Sequence, residues 1–187
     1  MGRTYDLIDD RLKQGIESQP VFFVATAPLA GDGHVNLSPK GYDSFRVLGP
    51  TTVAYVDLTG SGAETIAHLR ENGRITIMFC AFEGKPAITR LFGQGRVVVE
   101  GDDDFEELAA RFPDHPGRRS VIVVEVDRIQ TSCGYAVPFM DYVGPREDLI
   151  RWAERKGDDG LHDYWAEKNA ESIDGLPALA VDHHQVV

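Results

Sequence analysis

A chain of 187 residues with 42% hydrophobic and 26% charged side chains has the balance of an ordinary folded protein, which excludes disordered and fibrous classes. Its formal net charge of -11 repels polyphosphate backbones, and no Lys/Arg cluster forms a local exception, so nucleic acid is excluded as a partner class. No apolar run approaches bilayer length, and the first residues carry acids where a signal peptide needs an apolar stretch; the expectation is one domain over residues 1–187, cytoplasmic and without a membrane partner.

Taken in chain order, Tyr5, Ile8, Leu12 and Ile16 recur at three- and four-residue intervals, which predicts a helix ending near residues 15–20 and packing as a lid. Residues 21–27 and 34–38 read as strands of a hairpin joined through Gly31-Asp32-Gly33. Residues 52–58 form a further strand, closed by the turn Thr59-Gly60-Ser61-Gly62 and a helix over 63–71. Long strands follow over 74–82 and 88–99, then a short acidic-started helix over 102–112 and a buried strand over 120–129. The segment 145–169 is polar and helical, with Trp152 and Trp165 to dock it; it opens a C-terminal extension over about 145–187, in which His183-His184 reads as a flexible tail. At least six strands with few helices suit a mainly β (α+β) antiparallel barrel with peripheral helices better than a doubly wound sheet.

The strand-to-helix turn at 59–62 gathers free backbone N–H groups and the positive end of a helix dipole, which suits a phosphate. The same residues also spell a capping box, in which Ser61 and Glu64 satisfy the helix end themselves. Ser38-Pro39-Lys40-Gly41 ends the earlier strand in a cation, either an anion partner or a solvated turn residue. His34, His68 and His115 lack zinc-site spacing, and Asp102-Asp103-Asp104 reads as a helix start, so no metal is expected. Cys80 and Cys133 read as small packing residues, with Cys133 beside Tyr135 as an alternative cofactor-facing pair. No nucleophile-base-acid set is evident, and catalytic residues are unassigned.

Four segments in order, 36–41 (NLSPKG), 55–62 (YVDLTGSG), 68–74 (HLRENGR) and 90–95 (RLFGQG), resemble the pyridoxamine 5'-phosphate oxidase-related flavoproteins over roughly residues 20–130. The resemblance implies a split β-barrel, a homodimer, and FMN in a cleft between subunits, acting as an oxidoreductase on a small-molecule substrate. Carried over by position, Ser38 and Lys40 lie on the first flavin-contacting strand, Leu58 and Thr59 contact the cofactor, Ser61 and Gly62 form the adjoining turn, and Arg90 lies near the isoalloxazine edge. The family's basic phosphate-binding pair falls on Glu64 and Thr65, with Thr65 and the helix N-terminus left to hold the phosphate. That departure makes a non-enzymatic carrier of a flavin, a deazaflavin coenzyme or haem the alternative. The oxidase's Arg/His substrate motif has no counterpart in residues 131–138, so the resemblance does not extend to pyridoxamine phosphate as substrate.

Overall fold

The structure, a computed structural model, describes residues 2–180; the expected tail at His183-His184 lies outside the described residues. Its elements in order are β1 (Arg3–Tyr5), α1 (Asp10–Glu17), β2 (Phe22–Thr26), β3 (Asn36–Lys40), β4 (Phe45–Val47), β5 (Thr52–Leu58), α2 (Glu64–Asn72), β6 (Arg74–Cys80), β7 (Ile88–Val98), α3 (Phe105–Ala109), β8 (Arg118–Ser132) and α4 (Asp148–Lys168). Among the described residues, eight strands make one antiparallel sheet in the order β3-β2-β6-β7-β8-β5-β4, with β1 added to β8. The sheet curls into the split barrel that the resemblance implies, mainly β with helices at its periphery. No helix among the described residues is long and apolar enough to cross a membrane.

Alternation builds the core. In β2, Phe22 and Val24 point inward while Phe23 and Ala25 lie partly exposed. Val24, Ile77, Leu91, Ile122 and Ile129 meet inside the curl with no exposed surface. Phe22 ties the aromatic part of this core together, edge-on to Phe45 at 5.2 Å and to Tyr55 at 5.5 Å between ring centroids. A second cluster, including Val56, Val98, Val121 and Phe105, lies on the sheet's other face under α3.

The first helix differs from its expected start. Tyr5 belongs to β1 and pairs with Ile129, because β5 leaves β8 after Glu125 and exposes backbone groups that β1 covers. Helix α1 begins at Asp10, with the Asp9 carboxylate accepting from Leu12 N at 2.7 Å. Gly15 sits inside this helix, and a Cβ there would meet nothing within 4 Å. Gly15→Ala is therefore expected to stabilise the fold by roughly 0.5–1 kcal/mol, visible as a raised midpoint in urea unfolding.

Four further differences concern lengths, breaks and burial. The helix expected over 102–112 is confined to Phe105–Ala109, and a short strand, β4, was not foreseen. Cys80 is buried as expected, whereas Cys133 is exposed at the end of β8 and packs into no core. Helix α4 is broken at Gly157 (φ 65°, ψ 174°), and its second half carries Trp165, whose Nε1 donates to Thr59 Oγ1 at 2.8 Å.

Candidate functional site

The strand order leaves β3 at one edge of the sheet and the β5–β4 pair at the other. Curling brings these edges face to face, and Lys40 at the end of β3 crosses the seam to Asp57 on β5, with Nζ 2.7 Å from Oδ1. The other oxygen of Asp57 accepts from Arg119 Nε, on β8, at 2.7 Å. Asp57 and Arg119 are buried, while Lys40 keeps 18% of its side chain exposed toward the seam. Burial alone would raise the Asp57 carboxyl; the Arg119 guanidinium and Lys40 ammonium beside it overcome that and hold it down to about 2. Two cations about one carboxylate leave this buried group with a surplus positive charge.

A cavity of about 690 Å³ opens over the triad. Asn36, Ser38, Lys40 and Tyr42 line it from one edge, and Leu58, Thr59, Ser61, Gly62, Glu64 and Thr65 from the other. Arg119 forms part of the floor, and Lys168, Glu171 and Ile173 close it from the C-terminal extension. Beside it, Tyr42 (φ 65°) and Asp43 (φ 54°) hold left-handed backbone conformations that cost non-glycine residues about 1 kcal/mol or more each. The turn is held by its surroundings: Ser44 Oγ donates to Gly41 O at 2.6 Å, and His115 Nε2 lies 2.9 Å from Tyr42 O.

The turn into α2 is built differently from the expected capping box. The helix starts at Glu64, its N-cap is Ala63, and no side chain among the described residues caps it. Ser61 is thus two residues too early to cap, and the Glu64 carboxylate instead accepts from Ile173 N at 3.3 Å. Tertiary contacts shape the turn: Arg119 Nη1 donates to Gly62 O at 2.9 Å and Asn169 Nδ2 to Gly60 O at 3.0 Å. Thr59 is buried, its hydroxyl donating to Gly117 O at 2.7 Å and accepting from Trp165 Nε1 at 2.8 Å. Trp165 therefore docks the extension as expected, and Trp152 packs edge-on against Tyr164 instead.

A line of polar groups backs the cavity. Ser38 Oγ donates to Asn36 Oδ1 at 3.0 Å, and Asn36 Nδ2 donates to Thr65 Oγ1 at 2.9 Å, which leaves the Thr65 hydroxyl proton available to donate in turn. Behind them Thr26 Oγ1 lies 2.9 Å from His68 Nδ1, and burial holds the His68 pKa below its ordinary value.

Of the residues singled out from sequence, Ser38, Lys40, Leu58, Thr59, Ser61, Gly62 and Thr65 meet in this one cavity. Arg90 does not: it lies on β7, with Nη1 3.4 Å from Ser132 Oγ. Cys133 and Tyr135 line a separate apolar groove with Phe23 and Met78, away from Lys40. Asn36, Arg119 and Asn169 were missed. Only Asn36 carried a signal, as the first residue of the strand that ends in Lys40.

The donor set suits an anionic group. Lys40 has two protons beyond its bond to Asp57, Thr65 has its hydroxyl, and α2 begins uncapped, all around one space. Among the described residues, no group of three or more His, Cys, Asp or Glu could hold a metal ion.

Residues 8–133 match the family model for pyridoxamine 5'-phosphate oxidase. The chain belongs to the pyridoxamine 5'-phosphate oxidase family. Over 192 aligned residues it is 43% identical to the pyridoxamine 5'-phosphate oxidase family protein ustO of Aspergillus flavus, covering 94% of this chain and 77% of the relative. Solved structures of HupZ from Group A Streptococcus share the fold: one superimposes with a TM-score of 0.50 at 26% identity, over 65% of this chain and 91% of the other. A single-residue variant of the same protein gives a TM-score of 0.52 at 24% identity, over 67% and 99%. The family match ends at residue 133, so α4 and the segment that closes the cavity lie beyond it.

Proposed function

We propose that this family member is an FMN-binding oxidoreductase whose cofactor lies in the seam cavity with its phosphate toward Lys40, Ser61, Thr65 and the start of α2. The observation that carries this reading is the convergence of a cation, free hydroxyls and an uncapped helix end in one cavity of a size usual for cofactor sites, about 300–1,000 Å³. When bound, the flavin supplies the redox chemistry, and the protein binds, orients and shields it. Lys40 places positive charge at the anionic end, Thr65 and Ser61 donate hydroxyl protons, and Leu58 gives an apolar wall. Glu64 is turned to the backbone of Ile173, so its carboxylate has a partner other than the phosphate.

Arg90 stands outside the cavity within one chain, and its place at the flavin edge requires a homodimer with the cofactor at the subunit interface. Exposed apolar residues after β8, among them Tyr135, Phe139 and Tyr142, supply surface for such contact. Sedimentation at micromolar concentration should then give twice the chain mass of 20.6 kDa. The substrate is a small molecule and the setting cytoplasmic.

Protein incubated with excess FMN and desalted is expected to retain flavin absorbance with quenched fluorescence. A colourless product would overturn the reading. A carrier of a flavin, deazaflavin or haem is the second reading, favoured by Glu64 and Glu171 on the cavity wall, where no cation pairs with either among the described residues. Reduction by a nicotinamide coenzyme with turnover of an acceptor supports the enzyme; a loaded protein that turns over no acceptor supports the carrier.

A further inference from the structure

We infer that the C-terminal extension is a working part of the cofactor site, and that Asn169 is its positioning residue, setting the Gly60–Gly62 turn and the Arg119 guanidinium toward the anionic end of the bound molecule. The inference rests on the flavin reading and adds to it a residue outside the region that the family model matches.

Asn169 follows directly on α4 and is fully buried. Its Oδ1 accepts from Arg119 Nη1 at 2.8 Å, and its Nδ2 donates to Gly60 O at 3.0 Å. Its backbone is fixed as well, with N donating to Trp165 O at 2.8 Å and O accepting from Leu179 N at 3.0 Å. Leu179 and Ala178 pack in turn against Ala63, Ile66 and Ala67 at the start of α2. The amide thus joins a chain that runs from Lys40 through Asp57 and Arg119 to the turn.

The consequence for the turn follows from peptide geometry. A trans peptide points its C=O and N–H in opposite directions, and every peptide bond among the described residues is trans. With the carbonyls of Gly60 and Gly62 held by Asn169 and Arg119, the N–H groups of Ser61 and Ala63 are directed away from those side chains. Without Asn169 the Gly60 carbonyl is free to rotate toward the cavity, where its negative end opposes an anion. Arg119 would keep Asp57 through Nε and Gly62 O through Nη1, but lose the second of the two acceptors that fix Nη1.

The same segment accounts for the carboxylate at the family's basic position. Glu64 holds Ile173 N, and one residue on, Asp174 accepts from His34 N at 2.7 Å and meets His34 Nδ1 at 2.6 Å. The extension is therefore fastened across both edges of the seam.

The test compares FMN with riboflavin, which differ by the phosphate alone, by fluorescence titration of wild type and Asn169→Ala. The variant is expected to lose about tenfold in FMN affinity, the effect of one charge-assisted hydrogen bond, with riboflavin affinity unchanged. If Asn169→Ala does not fold, Asn169→Asp keeps the acceptor for Arg119, removes the donor to Gly60, and should lower the FMN-to-riboflavin ratio in the same way. Equal losses for both flavins, or none, would overturn the inference while leaving the flavin reading standing. A wild type that binds neither flavin would overturn both.

Discussion

Asp57→Asn is expected to destabilise the protein by about 3–5 kcal/mol, because it removes the one anion that Lys40 and Arg119 share and leaves a buried guanidinium without its counter-charge. The change is nearly isosteric, so the loss is electrostatic and not a packing defect. It also opens the seam, since the Lys40 contact spans the two sheet edges. Guanidinium unfolding of wild type and variant measures it; a difference below about 1 kcal/mol would mean that the pair contributes no more than a surface ion pair. An acid titration gives an independent check. The carboxyl is held at about 2, below its ordinary 3.8, so its stabilisation is fully present above about pH 4 and is lost as pH falls toward 2. That acid-sensitive step should be absent from Asp57→Asn.

The same triad shows which parts of the site were legible. Lys40 and the 59–62 turn stand out because each breaks a strand pattern at a place where the chain must turn. Arg119 does not stand out: it follows Arg118 at the head of a strand buried on both faces, and nothing local says which arginine goes inside. Its partner lies 62 positions earlier, and Asn169 lies 50 positions later. The capping box failed for a similar reason, since Ser61 and Glu64 have the right spacing but the turn is held by side chains from β8 and the extension. Tyr5 fitted a helical period as well as any residue, and the free edge of β8 claimed it for a strand. The barrel itself was legible because its strands are long, β-branched and separated by glycine turns. The contacts that convert its seam into a site are long-range and polar, and periodicity carries no trace of them.

Gly93→Ala should be the other severe substitution, costing about 3 kcal/mol or more. Gly93 lies on β7 where the pairing with β8 shifts register, Phe92 opposite Arg128 and Gly93 opposite Val126. The extra residue, Asp127, bulges and brings the β8 backbone inward. A Cβ on Gly93 would fall 2.1 Å from Glu125 O and 2.9 Å from Glu125 C, and these are backbone atoms. They have little room to yield, because Glu125 is also paired with Thr52 of β5 on its other side. Gly95, two residues along the same strand, supplies the comparison: its Cβ would meet Leu69 Cδ2 at 2.9 Å, the end of a flexible side chain that can rotate away. Gly95→Ala is thus expected to cost about 1 kcal/mol, at the mild end of overpacking. Denaturant midpoints of the two variants side by side decide the matter, and equal midpoints would show that the bulge can relax. Since β8 carries Arg119 at its head and the β1 pairing at its end, a shift at Glu125 should also reach the seam, and Gly93→Ala is expected to weaken FMN retention where Gly95→Ala does not.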